Sequence, residues 1–189
     1  MYVIFFGPPG VGKGTQASII AGRFGWAHVS TGDMLREHVR TGTELGARAK
    51  GYMDAGRLVP DDLVIEMLMS RLGALADGQG IVLDGFPRTL VQAEALDSAL
   101  EKASKSIDRA INITAPDDVL MQRMMGRAQD EGRSDDTPEA MRERLAGMKP
   151  PPELLEHYRR HGKLREVDGR PPVPEVTAAI VQALCGDGK

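Results

Sequence analysis

The chain has 189 residues, with 24 Lys and Arg against 27 Asp and Glu, a formal net charge of −3 and one cysteine, Cys185. That length suits one α/β domain with a substantial core, and the charge balance gives no whole-chain reason to expect a nucleic-acid partner. A lone cysteine excludes an internal disulfide and a cysteine-based zinc cluster; with no apolar run of membrane-spanning length and no leader-like segment ahead of the first strand, we expect a cytoplasmic protein with no membrane partner.

The first element is the apolar run Tyr2-Val3-Ile4-Phe5-Phe6, which reads as a strand. Directly behind it comes Gly7-Pro8-Pro9-Gly10-Val11-Gly12-Lys13-Gly14-Thr15, and then a helix-forming run. The spacing G-x-x-x-x-G-K is that of a P-loop, whose glycines let consecutive backbone N–H groups turn toward phosphate while the lysine neutralises the outer phosphates. The helix that follows adds its positive dipole end to the same anion. One position departs from the pattern: Gly14 stands where a Ser or Thr is usual, and the hydroxyl comes one residue later at Thr15.

Further along, Ala27 to Val29, Ile81 to Leu83, Ala110 to Ile113 and Leu164 to Val167 are short apolar runs separated by stretches of helical spacing. Such alternation predicts βαβ units and a five-stranded parallel sheet flanked by helices, with strands apolar on both faces. Pro116 and Pro138 suit first helical turns, Thr137 suits the cap of the second of these helices, and prolines 150 to 152 must interrupt whatever starts near Pro138. The methionines at 67, 69, 121, 124 and 125 read as core fillers, and Trp26 as packing near the end of the first helix.

Two more stretches carry chemistry. Ser30-Thr31-Gly32-Asp33-Met34-Leu35-Arg36 falls where the second strand should end, the side of an open α/β sheet on which ligands lie; its plain alternative is a helix cap by Ser30 or Thr31 with Arg36 on a solvated face. Asp84-Gly85-Phe86-Pro87-Arg88-Thr89 follows the third strand. An aspartate there can face Mg²⁺, directly or through water, and the planar fork of Arg88 can grip a phosphate as a lysine could not.

These three stretches together, with Gln16, Gln92 and a later arginine series, resemble the adenylate kinases, a group of nucleoside monophosphate kinases within the P-loop proteins; the Gly-Lys-Gly-Thr ending is the form that family uses, and the likeness covers nearly the whole chain. The resemblance implies a P-loop kinase three-layer fold with a core of residues 1–29, 60–125 and 137–189, a small helical NMP-binding subdomain over 30–59 and a short lid over 126–136. It further implies that Gly10, Val11, Gly12, Lys13, Gly14 and Thr15, with Arg123 and Arg127, hold ATP. Thr31, Arg36, Arg57, Leu58, Val59, Gly85, Phe86, Pro87, Arg88, Gln92, Arg133 and Arg144 would hold AMP, with Thr31 and Gln92 bearing on base identity. Mg²⁺ would be met by Thr15 and Asp84. The longer lid with a zinc site found in some members is missing, so no structural metal is expected, and the family is usually monomeric.

Arg123 and Arg127 are four apart and can project from one helical face; Arg133 and Arg144 follow, and the plain reading of exposed arginines pairing with nearby acids accounts well for Arg142. Moving the γ-phosphoryl group of ATP to AMP to give two ADP uses an acceptor oxygen that is already anionic, so the site needs alignment and positive charge rather than a base. Lys13, Arg88, Arg123, Arg133 and Arg144 are the expected catalytic cations. His28, His38, His157 and His161 show no spacing that points to a metal and are read as non-catalytic. Near Asp168-Gly169-Arg170-Pro171-Pro172-Val173, prolines remove N–H donors, so a contact with the donor base would use a carbonyl or another residue. Two other readings compete: a pyrimidine monophosphate kinase, against which Thr31 speaks, and a nucleotide-binding switch, which has no use for a second set of phosphate-gripping arginines.

Overall fold

The computed structural model describes residues 1–76, 78–131 and 137–186, with backbone alone for 128–131. Five strands form one parallel sheet in the order β2-β3-β1-β4-β5. They are β1 (Tyr2–Phe6), β2 (Ala27–Ser30), β3 (Ile81–Asp84), β4 (Arg109–Thr114) and β5 (Leu164–Asp168). All five coincide with the apolar runs to within one residue at each end, because a parallel strand covered by helices must be apolar where it is central. The outer strands break that rule. On β2, His28 and Ser30 are half-buried, and on β5 Arg165 is half-buried while Glu166 and Asp168 are exposed; each lies at a sheet edge with a neighbour on one side only.

Helices connect the strands. They are α1 (Lys13–Phe24), α2 (Thr31–Arg40), α3 (Glu44–Asp54), α4 (Asp61–Gly73), α5 (Leu90–Lys102), α6 (Asp117–Glu131), α7 (Pro138–Gly147), α8 (Pro152–Arg160) and α9 (Val173–Cys185). Alternation along β1 decides the layers. Val3 and Phe5 pack with Ala17, Ile20, Leu120 and Ile180 from α1, α6 and α9, while Ile4 and Phe6 pack on the other face with Leu35, Leu68, Leu96 and Tyr158 from α2, α4, α5 and α8. The result is a three-layer α/β fold with two cores, one on each face of the sheet.

Thr137 caps α7 by accepting from the Ala140 N–H at 3.2 Å, and Pro138 opens that helix. Pro116 stands just ahead of α6 and its carbonyl accepts from the Leu120 N–H at 3.1 Å. The proline stretch ends one helix and starts the next, since α7 stops at Gly147 and Pro152 is the first residue of α8. Trp26 stacks on Phe24 with ring centroids 4.7 Å apart, just past the end of α1. Met67 and Met124 are buried, but Met125 is 56 % exposed and fills no core: on α6 it is Leu120 and Met124, four residues apart, that face inward.

Candidate active site

The sheet order places β1 and β3 side by side, with Phe5 opposite Asp84. The loop after β1 and the loop after β3 therefore open at the same carboxyl edge, and β2 brings Ser30 opposite Asp84 from the other side. All three motif stretches thus meet at one place although they are separated by tens of residues along the chain. They line a cleft of about 1120 Å³. That is somewhat beyond the roughly 300–1,000 Å³ typical for one drug-sized ligand.

The loop from Gly7 to Gly12 turns by using conformations open to glycine. Gly10 has φ +81°, and a Cβ there would stand 2.6 Å from the Leu120 carbonyl oxygen and 2.9 Å from Met124 Cγ, so the loop is pressed against α6. Lys13 is the first residue of α1, and its ammonium donates back to the Gly7 and Pro8 carbonyls at 2.7 and 2.8 Å. Burial pushes its pKa down to about 8; Asp84 opposes that shift, while Arg88 and Arg127 add to it.

At Gly14, the position that departs from the general P-loop pattern, a Cβ would come within 3.3 Å of Asp84 Oδ2, so a larger residue would need the carboxylate to shift slightly. Burial works to raise the Asp84 carboxyl, yet His28, Lys13 and Arg88 together hold it below the ordinary carboxylate value. His28 Nε2 stands 3.8 Å from Asp84 Oδ2, at ion-pair rather than hydrogen-bond distance. Nothing in the local sequence marks His28 as a neighbour of Asp84; pairing of β2 with β3 puts it there.

On the other side of the cleft, Arg88 Nε donates to the Gly85 carbonyl at 2.8 Å, and Nη1 lies 3.1 Å from Met148 Sδ. Its pKa is lowered by burial against the pull of Asp84, with Arg144 and Arg36 lowering it further. Thr31 is buried and donates to the Asp84 carbonyl at 3.4 Å. Ser30, not Thr31, caps α2, accepting from the Asp33 N–H at 3.2 Å. The plain helix-cap reading of that stretch therefore holds for Ser30 while leaving Thr31 in the cleft wall. Arg36 lies along the same wall and pairs with Asp33.

Gly10, Val11, Gly12, Lys13, Gly14, Thr15, Thr31, Arg36, Arg57, Leu58, Val59, Asp84, Gly85, Pro87, Arg88, Gln92, Arg123, Arg127 and Arg144 all line the cleft. Phe86 does not. It is 1 % exposed and packs in the core, because the chain after the strand turns its ring inward before Pro87 brings the backbone out again. Arg123 borders the cleft with its guanidinium bound to the Gly169 and Arg170 carbonyls at 2.8 and 3.2 Å, which ties α6 to the segment after β5. Arg133 lies outside the described residues, as does the second half of the expected lid; its first half, 126–131, continues α6. Among the described residues no three His, Cys, Asp or Glu side chains converge as a metal cage, and no helix is long and apolar enough to cross a membrane.

Residues 5–163 match the family model described as adenylate kinase. A protein named adenylate kinase from Cyanothece sp. is 46 % identical over 179 residues, covering 94 % of this chain and 92 % of the relative. Proteins of the same name from Lachnospira eligens and Stenotrophomonas maltophilia are each 42 % identical, covering 97 % and 98 % of this chain and the whole of each relative.

Proposed function

The chain belongs to the adenylate kinase family, and we propose that its cleft carries out that family's reaction with the donor held on the Lys13 side and the acceptor on the Arg88 side. The reaction is phosphoryl transfer between ATP and AMP to give two ADP, and the chain is a nucleoside monophosphate kinase. The observation that supports the division of labour is that Lys13, from the loop after β1, and Arg88, from the loop after β3, line one cleft and both hold the buried Asp84 carboxyl below its ordinary value. Two cations against one anion leave net positive charge in the cleft, which favours entry of phosphates.

On this reading Gly10 to Thr15 wrap the donor phosphates with backbone N–H groups, and Lys13 exchanges its loop carbonyls for the outer phosphate oxygens. Arg123 and Arg127 reach them from α6. Thr31, Arg36, Arg57 to Val59, Gly85, Pro87, Arg88 and Gln92 form the acceptor side. Arg144, buried beside Arg88, and Arg133 bring charge to the transferring group. The acceptor oxygen is already anionic, so the residues align it in line and offset charge as the transition state spreads it over the phosphoryl oxygens. Loss of one such group costs on the order of 3–4 kcal/mol in transition-state stabilisation.

The residues present fit Mg²⁺. The Thr15 hydroxyl at the cleft wall and the Asp84 carboxylate, kept ionised by its cationic neighbours, are hard oxygen donors of the kind that ion takes alongside phosphate and water. When bound with ATP it would supply positive charge that offsets the negative charge of the phosphates. We further propose that residues 30–59 and 126–136 close over the two nucleotides and exclude water as a competing acceptor, and that the chain works as a cytoplasmic monomer on small-molecule nucleotides alone. The test is purified protein with Mg²⁺-ATP and each nucleoside monophosphate in turn, following ADP. AMP should be the preferred acceptor; turnover that is independent of AMP, or faster with UMP or CMP, would falsify this assignment.

A further inference from the structure

Asp61 opens α4 directly after the Arg57-Leu58-Val59 segment and lies outside the cleft wall. Its two carboxylate oxygens are both occupied: Oδ2 accepts from the Thr89 hydroxyl at 2.9 Å and Oδ1 from Gln92 Nε2 at 2.7 Å. The other end of the Gln92 amide, Oε1, accepts from the Arg88 backbone N–H at 2.7 Å. Gln92 is only 2 % exposed, yet it lines the cleft.

The sense of this amide is therefore fixed twice over. A carboxylate has only acceptors to offer and a backbone N–H only a donor, so nitrogen must face Asp61 and oxygen must face Arg88. A glutamine amide has two N–H groups and two oxygen lone pairs. One of each is consumed, leaving one donor on Nε2 and one acceptor on Oε1 at known places. Such a pair matches a base edge that presents an acceptor and a donor in the complementary order. The exocyclic amino group and ring nitrogen of adenine offer a donor then an acceptor; the carbonyl and ring N–H of guanine, a base of the same size, offer the reverse. A turned amide would suit guanine, and a freely turning one would distinguish the two poorly.

We propose that Asp61 is a positioning residue that sets the base preference of the acceptor site by holding the Gln92 amide in one orientation, so that a 6-aminopurine monophosphate is accepted and a 6-oxopurine monophosphate is rejected. The inference rests on the reading that Gln92 borders the acceptor base. It acts on selectivity rather than on phosphoryl transfer itself, because Asp61 does not reach the cleft.

The experiment compares kcat/KM for AMP and GMP, with Mg²⁺-ATP as donor, in the parent and in Asp61→Ala, Asp61→Asn and Gln92→Leu, alongside thermal melts. Asp61→Ala should lower the AMP to GMP ratio about tenfold, the order of one buried hydrogen bond lost or left unmade. Asp61→Asn should keep the ratio within about threefold, since its carbonyl can still accept from Gln92 while its amide donates to Thr89. If the Ala variant does not fold, Asp61→Ser, well suited to a first helical turn, is the second truncation and should give the same fall. An equal fall for both acceptors, or no change in the ratio, overturns the role of Asp61. A ratio unmoved by Gln92→Leu instead overturns the placement of the base beside Gln92, which separates the two failures.

Discussion

Replacing Lys13 by methionine should abolish catalysis and, near neutral pH, stabilise the nucleotide-free protein. The ammonium pays for its position: holding its pKa at about 8 rather than 10.5 costs the folded state about 3 kcal/mol while the lysine is charged. Methionine removes that cost but also removes two hydrogen bonds to the Gly7 and Pro8 carbonyls, worth about 1 kcal/mol each. The expected net gain at pH 7 is about 1 kcal/mol, or about 3 °C in Tm for a domain of this size. The sign follows from proton binding. Between pH 8 and 10.5 the unfolded chain keeps the lysine proton that the folded one has released, so parent stability rises with pH in that window. The advantage of Lys13→Met is full below about pH 8 and is mostly gone by pH 10, where the lost carbonyl contacts should leave the variant the less stable of the two. Urea or thermal unfolding at pH 7 and pH 10, with EDTA and no nucleotide, reads this directly. A variant clearly less stable at pH 7, or a difference that does not move with pH, would refute the argument that burial of this charge is what lowers its pKa.

The Tyr158 hydroxyl is buried with no hydrogen-bond partner among the described residues, and burial together with Asp97 raises its pKa far above the usual phenol value. Tyr158→Phe should therefore leave the ring packed against Phe6, whose centroid lies 5.5 Å away, and stabilise the protein by about 1 kcal/mol in urea unfolding, with ADP formation unchanged; a loss of stability would show that the hydroxyl has a partner. Gly10→Ala should cost at least 2 kcal/mol, since the new methyl would meet the Leu120 carbonyl at 2.6 Å from a backbone of φ +81°. The same variant should raise the KM for ATP, and a variant with parent melting and parent KM would show that the loop is free to move away from α6.

Some of the site was local enough to be legible in the sequence. Gly10, Gly12, Lys13 and Thr15 keep a fixed spacing behind an apolar strand, and Thr137 before Pro138 is a helix start wherever it occurs; both depend on interactions within a few residues. The apolar runs likewise located the five strands, since a strand buried on both faces has to be apolar in the sequence itself. Those same runs misrepresented the edges of the sheet, where β2 and β5 carry polar residues, because edge position is a property of the neighbours.

The sequence alone therefore determined the element types, the phosphate-binding loop and the three motif stretches, and through them the family. Only the tertiary structure decided what those stretches do to one another. Pairing β1 with β3 and β3 with β2 set Lys13, Arg88 and His28 around Asp84, turned Phe86 into the core, and carried Asp61 to Gln92 across 31 positions of chain. Spacing along the chain reports contacts made within a helical turn or a loop. Contacts made by sheet order and helix packing join residues whose separation in sequence has no fixed value, and for these no local pattern exists to be read.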